Sequence, residues 1–275
     1  MVARRRGALR AAALLPALAL AVAAAGCAQP TGGGGGGDAA GGPVELIAPG
    51  KLTTCTHLPY EPFQFPKDGK IVGFDVDLVD LVARDLGVQQ NIVDAPFDEG
   101  IQSGESLNSN QCDVAAAAMT ITDVRKQNLD FSDPYFDAEQ ALLVKKDSGI
   151  TDLAQMRGKK LGVQVGTTGQ EYAEKNKDQF GYEVVVFDDL ALQETAVQTG
   201  QVNAAINDNG VLLNFSKNNP DTQVTTEFAT GDKYGIGVRK GNTALLQKVN
   251  ESLKKAKESG EYDAIYQKWF GKKPE

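Results

Sequence analysis

Histidine and cysteine are scarce in this chain, and their scarcity removes whole classes of chemistry. There is one histidine, His57, in 275 residues, so no multi-histidine metal site can be built. The three cysteines, Cys27, Cys55 and Cys112, form no Cys-x-x-Cys pair, which argues against a zinc module. A basic stripe is missing, and the formal net charge is −8, so a nucleic-acid role has no electrostatic footing. Beyond the N-terminal segment no apolar run is long enough to span a bilayer. The Gly/Thr turn at 166–169 lacks the Lys of a phosphate loop, so nucleotide binding is not expected. No metal and no cofactor are called for. What is present is a 41% hydrophobic composition, enough to bury the core of one large or two medium domains.

The first 26 residues read as a signal peptide rather than as part of the fold. Arg4, Arg5, Arg6 and Arg10 make a basic n-region, residues 11–25 an apolar h-region, and Ala25-Gly26-Cys27 resembles a bacterial lipobox. Cys27 would then carry a lipid and become the new N-terminus. Residues 27–43 come next as a lipidated, Gly-rich tether, with six consecutive glycines from Gly32 to Gly37 that cannot pack a core. A lipid, a leash and a globular region describe a protein held on the outer face of the cell membrane while free to move.

In the globular part a strand is expected over residues 45–58, interrupted at Pro49-Gly50. The proline-rich loop Pro59-Tyr60-Glu61-Pro62-Phe63-Gln64-Phe65 comes after it. Rings on a loop after a strand stand where open α/β sheets present binding groups. Tyr60, between two prolines, is the ring expected to face a ligand. Phe63 is a candidate beside it, with core packing as the competing reading for Phe63 and Phe65. Residues 73–87 carry Leu78, Val79, Leu81, Val82 and Leu86 at helical spacing, with Asp75 and Asp77 at the helix start and Gly87 as a stop.

The stretch 113–125 stands out. Residues 114–119 form a short apolar run without alternation, read as a buried strand. Thr122 is a good N-cap, which places Arg125 in the first turn of a helix, the wrong end of the dipole for a cation. A cation there, just past the carboxyl end of a strand, suggests a site that holds an anion. A solvated Arg paired with Asp123 is the plainer reading. Farther on come strands at 140–145 and 159–165, then Gly166-Thr167-Thr168-Gly169 opening a helix from about Gln170. Such a turn exposes backbone N–H groups to an anion. A helix over 193–200 and a strand over 202–207 repeat the layout around Cys112 to Met119, which suggests two similar α/β lobes. Lys233 to Arg239 reads as a strand returning to the first lobe, and residues 242–259 and 261–270 as helices. Two crossings, near 137–140 and 229–233, would make a hinge.

Gly73 to Leu86, with its Phe74-Asp75-Val76-Asp77-Leu78 core, closely resembles the signature of bacterial extracellular solute-binding proteins, third family, which serve amino-acid ABC importers. Segments 113–125, 153–168, 203–208 and 262–271 resemble later parts of that family in its order, from Leu52 to Gly271. The resemblance implies a two-lobe periplasmic-binding-protein fold of type II. Each lobe would be a mostly parallel sheet flanked by helices, lobe 1 being residues 44–138 and 233–275 and lobe 2 residues 139–232. It also implies an amino-acid site in the cleft. The ligand carboxylate would meet Arg125 and the backbone around Thr120 and Thr168. Its ammonium would meet Asp208, the Thr120 hydroxyl and the Ala118 carbonyl. Gln164 and Thr167 complete the second jaw. Taken alone, Asp208 reads as a turn residue in Asn207-Asp208-Asn209-Gly210. His57 stands where family members for basic amino acids often carry an acid, and Ala117 replaces a frequent hydroxyl. A neutral polar ligand such as glutamine or cystine is therefore expected.

The implied partners are a free amino acid, an ABC permease with its ATPase, and the membrane through Cys27. The protein is expected to be a monomer and not an enzyme. The same fold also hosts prephenate or arogenate dehydratases, for which Glu61 or Glu171 would have to act as general acid. Cys55 and Cys112 remain once Cys27 is lipidated. Outside the membrane they either pair or stay buried thiols, and sequence leaves both open.

Overall fold

The computed structural model describes residues 43–274. The expected signal peptide, the lipidated Cys27 and the tether up to residue 42 lie outside the described residues.

After a short bridge between Ala48 and Lys51, the chain enters β1 (Lys51–Thr56), whose residues beyond Lys51 are all buried. The small hairpin β2 (Phe65–Lys67) and β3 (Lys70–Val72) leads to α1 (Phe74–Asp85). The α1 stripe Phe74, Leu78, Val79, Val82 and Ala83 faces the core, while Asp80 and Arg84 look outward. Gly73, just ahead of α1, admits no other residue. A Cβ there would lie 1.9 Å from the Phe63 carbonyl oxygen.

Next come β4 (Gln89–Asp94), a π-helical turn at Phe97–Gln102, α2 (Glu105–Asn108), β5 (Val114–Ala115), a 3-10 turn at Arg125–Gln127 and β6 (Leu129–Phe131). The chain then runs through β7 (Phe136–Lys145), a 3-10 turn at Leu153–Met156, β8 (Lys160–Gln164), α3 (Thr168–Phe180) and β9 (Glu183–Phe187). It finishes with α4 (Leu190–Thr199), β10 (Ala204–Asp208), α5 (Asn209–Asn218), β11 (Thr222–Tyr234), β12 (Gly237–Arg239), α6 (Thr243–Ser259) and α7 (Glu261–Phe270).

These strands form two five-stranded sheets, ordered β4-β1-β5-β12-β6 and β11-β7-β10-β8-β9. In the first, β1 runs parallel to β4 and β5, and β12 runs against β5 and β6. In the second, β8 runs parallel to β9 and β10, and β7 runs against β10 and β11. Each sheet therefore has one reversed strand among otherwise parallel ones, with helices alongside. The antiparallel pair β7–β11 runs from Phe136↔Tyr234 to Lys145↔Thr222, with register shifts between Val224 and Thr226 and between Phe228 and Asp232. Its Phe136 end meets the segment that follows β5, since the backbone of Tyr234 also bridges to Thr120. The two chain crossings thus lie side by side as one ribbon.

Two local expectations need correction. The apolar run 114–119 is a ladder only at Val114 and Ala115, because Ala118 turns into the left-handed region at φ 48° and leaves the sheet. Thr122 does accept from the Arg125 N–H at 3.2 Å, as a cap would. The capped segment is a three-residue 3-10 turn that β6 cuts short at Leu129, so no helix dipole acts on Arg125. The case for an anion must rest on burial instead.

Candidate functional site

The carboxyl ends of β1, β5, β8 and β10 face one another, the place where open α/β sheets bind ligands. One cavity there is lined by His57, Tyr60, Gln64, Phe97, Ala117, Ala118, Thr120, Arg125, Gln164, Thr167, Thr168 and Asp208. It encloses about 10 Å³, room for about one water molecule.

Arg125 is 3% exposed. Its Nη1 donates to the Thr120 carbonyl at 2.8 Å and its Nη2 to the Gly166 carbonyl at 3.0 Å, while its Cζ stands 5.3 Å from the centre of the Phe97 ring. Among the described residues no carboxylate forms an ion pair with it. Burial lowers its pKa, against the more distant pull of Glu171 and Asp208. A guanidinium held out of water on two carbonyls and a ring face still lacks an anion, and a bidentate carboxylate fits that need.

Asp208 is the complementary case. It ends β10, is 5% exposed and has no cation beside it among the described residues. Its oxygens accept from the Tyr234 hydroxyl at 2.5 Å, the Tyr60 hydroxyl at 3.0 Å and Gln140 Nε2 at 2.5 Å. Burial pushes its pKa up, and those three donors pull it back. Burial and the Asp208 charge together drive the Tyr60 and Tyr234 phenols well upward, so both stay neutral donors.

The second jaw is built by capping chemistry. Thr167 caps α3, accepting from the Gln170 N–H at 3.1 Å and donating to the Gln164 carbonyl at 2.8 Å. That leaves Thr168 at the helix start, 3.4 Å from the Thr120 hydroxyl across the cleft. Tyr60 crosses the cleft too, its hydroxyl lying 2.8 Å from Asn207 Oδ1.

Eight of the nine ligand contacts expected from sequence line this cavity: Tyr60, Ala118, Thr120, Arg125, Gln164, Thr167, Thr168 and Asp208. Phe63 does not, and that expectation is corrected. The paired hydrogen bonds between Tyr60 and Gln64 fold the loop so that Tyr60 reaches the cavity while Phe63 turns inward. Phe63 is fully buried, edge-on to Phe74, Phe136 and Tyr234. The structure also joins Cys55 and Cys112 in a disulfide with a Cα–Cα distance of 5.6 Å, beneath the Phe97 and Ala117 wall.

Three site residues escaped the sequence. Phe97 comes after Pro96 at the end of β4, a loop aromatic after a strand like Tyr60, and that parallel was its only signal. Gln64 sits in the proline loop between Phe63 and Phe65, where a polar side chain carries no local mark of a site. Gln140 looked like an ordinary strand residue. Its Nε2 reaches Asp208, Asp232 at 3.1 Å and Thr168 at 3.2 Å.

Two residues that line the cavity carry a buried acceptor with no partner, His57 Nε2 and Gln64 Oε1, and Gln140, whose Nε2 bonds Thr168 and Asp208, leaves its Oε1 unpartnered as well. His57 Nδ1 lies 3.0 Å from the Ala95 carbonyl. A carbonyl only accepts, so in the neutral ring Nδ1 carries the proton and Nε2 is a bare acceptor.

The sequence model of bacterial extracellular solute-binding proteins, family 3, matches residues 52–272. The chain is 36% identical over 233 residues to a probable histidine-binding protein of Neisseria gonorrhoeae, covering 82% of this chain and 85% of that one. It is 39% identical over 214 residues to an ABC transporter glutamine-binding protein of Bacillus subtilis (strain 168), covering 76% of each. Among solved structures, an ancestral arginine-binding protein bound to arginine superposes with a TM-score of 0.75 at 43% identity, covering 80% of this chain and 98% of that chain.

Proposed function

The chain belongs to the bacterial extracellular solute-binding proteins, family 3, and from that premise we propose that it captures one free amino acid between its lobes for an ABC importer. The carrying observation is the pair of buried, unpaired charges: Arg125 on one jaw and Asp208 on the other. A zwitterion is the small molecule that satisfies both. Its carboxylate takes the Arg125 guanidinium and N–H groups at the start of α3. Its ammonium takes Asp208, the Thr120 hydroxyl and the Ala118 carbonyl.

The side chain we assign is neutral and polar, glutamine or cystine. Asp208 is the only carboxylic acid among the cavity residues, and the ammonium uses it. The unpartnered acceptors His57 Nε2 and Gln64 Oε1 suit the two N–H groups of a primary amide. An acceptor left unpaired in a buried site is costly, so a ligand that supplies the donor gains over one that does not. Relatives are named for histidine, glutamine and arginine, which supports the amino-acid class and leaves the side chain to these local groups.

The space between the jaws is far smaller than an amino acid, so entry requires the lobes to part about the β7–β11 ribbon. Signal cleavage, lipidation at Cys27 and the 27–43 tether would hold a monomeric protein on the outer face of the membrane, beside a permease and its ATPase. A dehydratase would need a general acid free to move a proton in the cavity. Glu61 and Glu171 are not among the lining residues, and Asp208 is engaged by three neutral donors, so capture is the better-supported reading. Calorimetry against the free amino acids tests the assignment. Glutamine or cystine should bind tightest. Arginine or lysine far tighter than every neutral amino acid would overturn the side-chain assignment.

A further inference from the structure

Asp75 stands in the first turn of α1, where a helix dipole alone would account for an acid. The structure gives it a different employment. It is 2% exposed, with no cation beside it among the described residues. Its Oδ2 accepts from the Ala118 N–H at 2.7 Å, and the Tyr135 hydroxyl lies 2.9 Å from both of its oxygens. The Tyr135 carbonyl is in turn held by the Tyr262 hydroxyl at 2.6 Å, which ties the cluster to α7.

Ala118 needs such a hold. It has a Cβ and adopts φ 48°, a region that L-residues with side chains seldom occupy. It also lines the ligand cavity, and among the described residues no donor reaches its carbonyl. The turn at Ala118 takes the chain off β5 and carries it to Thr120 and Arg125. We propose that Asp75 is a positioning residue for amino-acid capture: its carboxylate fixes the Ala118 backbone so that the Ala118 carbonyl and Thr120 stand ready for the ligand ammonium. This rests on the amino-acid reading of the cleft.

The groups packed against Asp75 that can titrate are two phenols, Tyr135 from the segment before β7 and Tyr262 from α7. Burial raises the pKa of both, with the Asp75 charge adding to the rise, so they remain neutral donors. Asp75 is therefore the group of this cluster whose charge changes in the ordinary range. Burial pushes its carboxyl up to about 7, against the bonds from Ala118 and Tyr135. A hydrogen bond to an ionised acceptor is roughly twice as strong as one between neutral groups. The hold on Ala118 thus weakens as the pH falls through 7.

Two variants of the full chain test this, Asp75→Asn and Asp75→Leu. Each is titrated calorimetrically with the twenty free amino acids and cystine at pH 6 and pH 8, and each is melted. Asn keeps an acceptor for Ala118 in nearly the same shape, so Asp75→Asn should bind within a few-fold of wild type and lose the pH 6 to 8 change in affinity. Asp75→Leu leaves the N–H unsatisfied and should weaken the preferred ligand by about tenfold or more, the worth of one hydrogen bond to a charged group. Equal affinity for wild type and Asp75→Leu would overturn the proposal. Should Asp75→Leu not fold, an Asp75→Asn protein that keeps the wild-type pH dependence overturns it equally. An independent readout needs no ligand: the Ala118 amide resonance should titrate near pH 7 in wild type and not in Asp75→Asn. An Ala118 amide that does not respond refutes the positioning role even if capture is real. Wild type that binds no amino acid, with a responding Ala118 amide, refutes the amino-acid reading and with it the role in capture, while the Asp75–Ala118 contact itself stands.

Discussion

Replacing Gly166 by alanine separates closure of the cleft from stability of the fold. Gly166 lies on the second jaw at φ +72°, and its carbonyl accepts from Arg125 Nη2 at 3.0 Å. A Cβ built there falls 2.5 Å from Asp98 Oδ1 and 3.0 Å from Asp98 Cα and Cβ, which belong to the first jaw. Two penalties arise. The left-handed backbone costs a residue with a Cβ ~1–2 kcal/mol whether the cleft is open or shut. The collision with Asp98 arises only when the jaws meet, and relieving it draws Gly166 away from Arg125. Loss of that hydrogen bond to a charged donor is worth ~1.5–3 kcal/mol. Ligand affinity in Gly166→Ala should therefore fall ~10–150-fold. The melting temperature should drop by only a few degrees, at roughly 2–4 °C per kcal/mol for a domain of this size. Calorimetry on wild type and variant, with a thermal melt of each, reads both. A variant that melts lower yet binds as tightly as wild type would show that the Gly166–Asp98 approach is no part of the bound state.

The same geometry has other consequences. Asp208→Asn keeps an acceptor for the two tyrosines but removes the charge, so affinity should fall roughly tenfold or more with little change in melting; unchanged affinity would remove Asp208 from the ammonium site. The Cys55–Cys112 bond closes a loop with a sequence separation of 57, and reducing it should cost ~4 kcal/mol and lower the melting temperature by roughly 8–16 °C; coincident melts with and without reductant would contradict this. Asp75 also shapes stability. Its carboxyl sits at about 7 in the fold against 3.8 unperturbed, so between those pH values the folded chain holds a proton that the unfolded chain has lost. Its contribution declines as the pH rises from about 4 to 7, by at most ~4 kcal/mol. Glu194, raised to about 8 by burial and by Glu61 and Asp189, adds a decline of the same sign. Asp75→Asn should flatten the curve, and an unchanged slope would place the titration elsewhere.

The parts of the fold that were legible in the sequence are those where one physical cause dominates. Helical spacing marked α1, which buries a single apolar stripe, and the ranges expected for α6 and α7 agree with the structure to within a residue. Where causes competed, sequence reasoning lost. β4 opens with Gln89, Gln90 and Asn91, a polar edge strand that shows no apolar run. α5 begins Asn209-Gly210, which reads as a turn. Glycine relieves a tight approach there, since the Phe63 ring stands 3.1 Å from where a Cβ would be. Arg125 was found for a reason that the structure replaced, a short 3-10 turn and deep burial standing where a helix dipole was expected. The roles of Asp75, Gln64 and Gln140 were illegible because each depends on groups more than 25 residues away or on an unpaired atom, neither of which a local pattern records.

The central claim is that a zwitterion bridges Arg125 and Asp208. Calorimetric titration of wild type and Arg125→Ala with the free amino acids tests it most directly. Wild type should bind a neutral polar amino acid, and Arg125→Ala should lose ~2–5 kcal/mol of that affinity while melting as a folded protein. Near-normal binding by Arg125→Ala, or no amino-acid binding by wild type, would contradict the account.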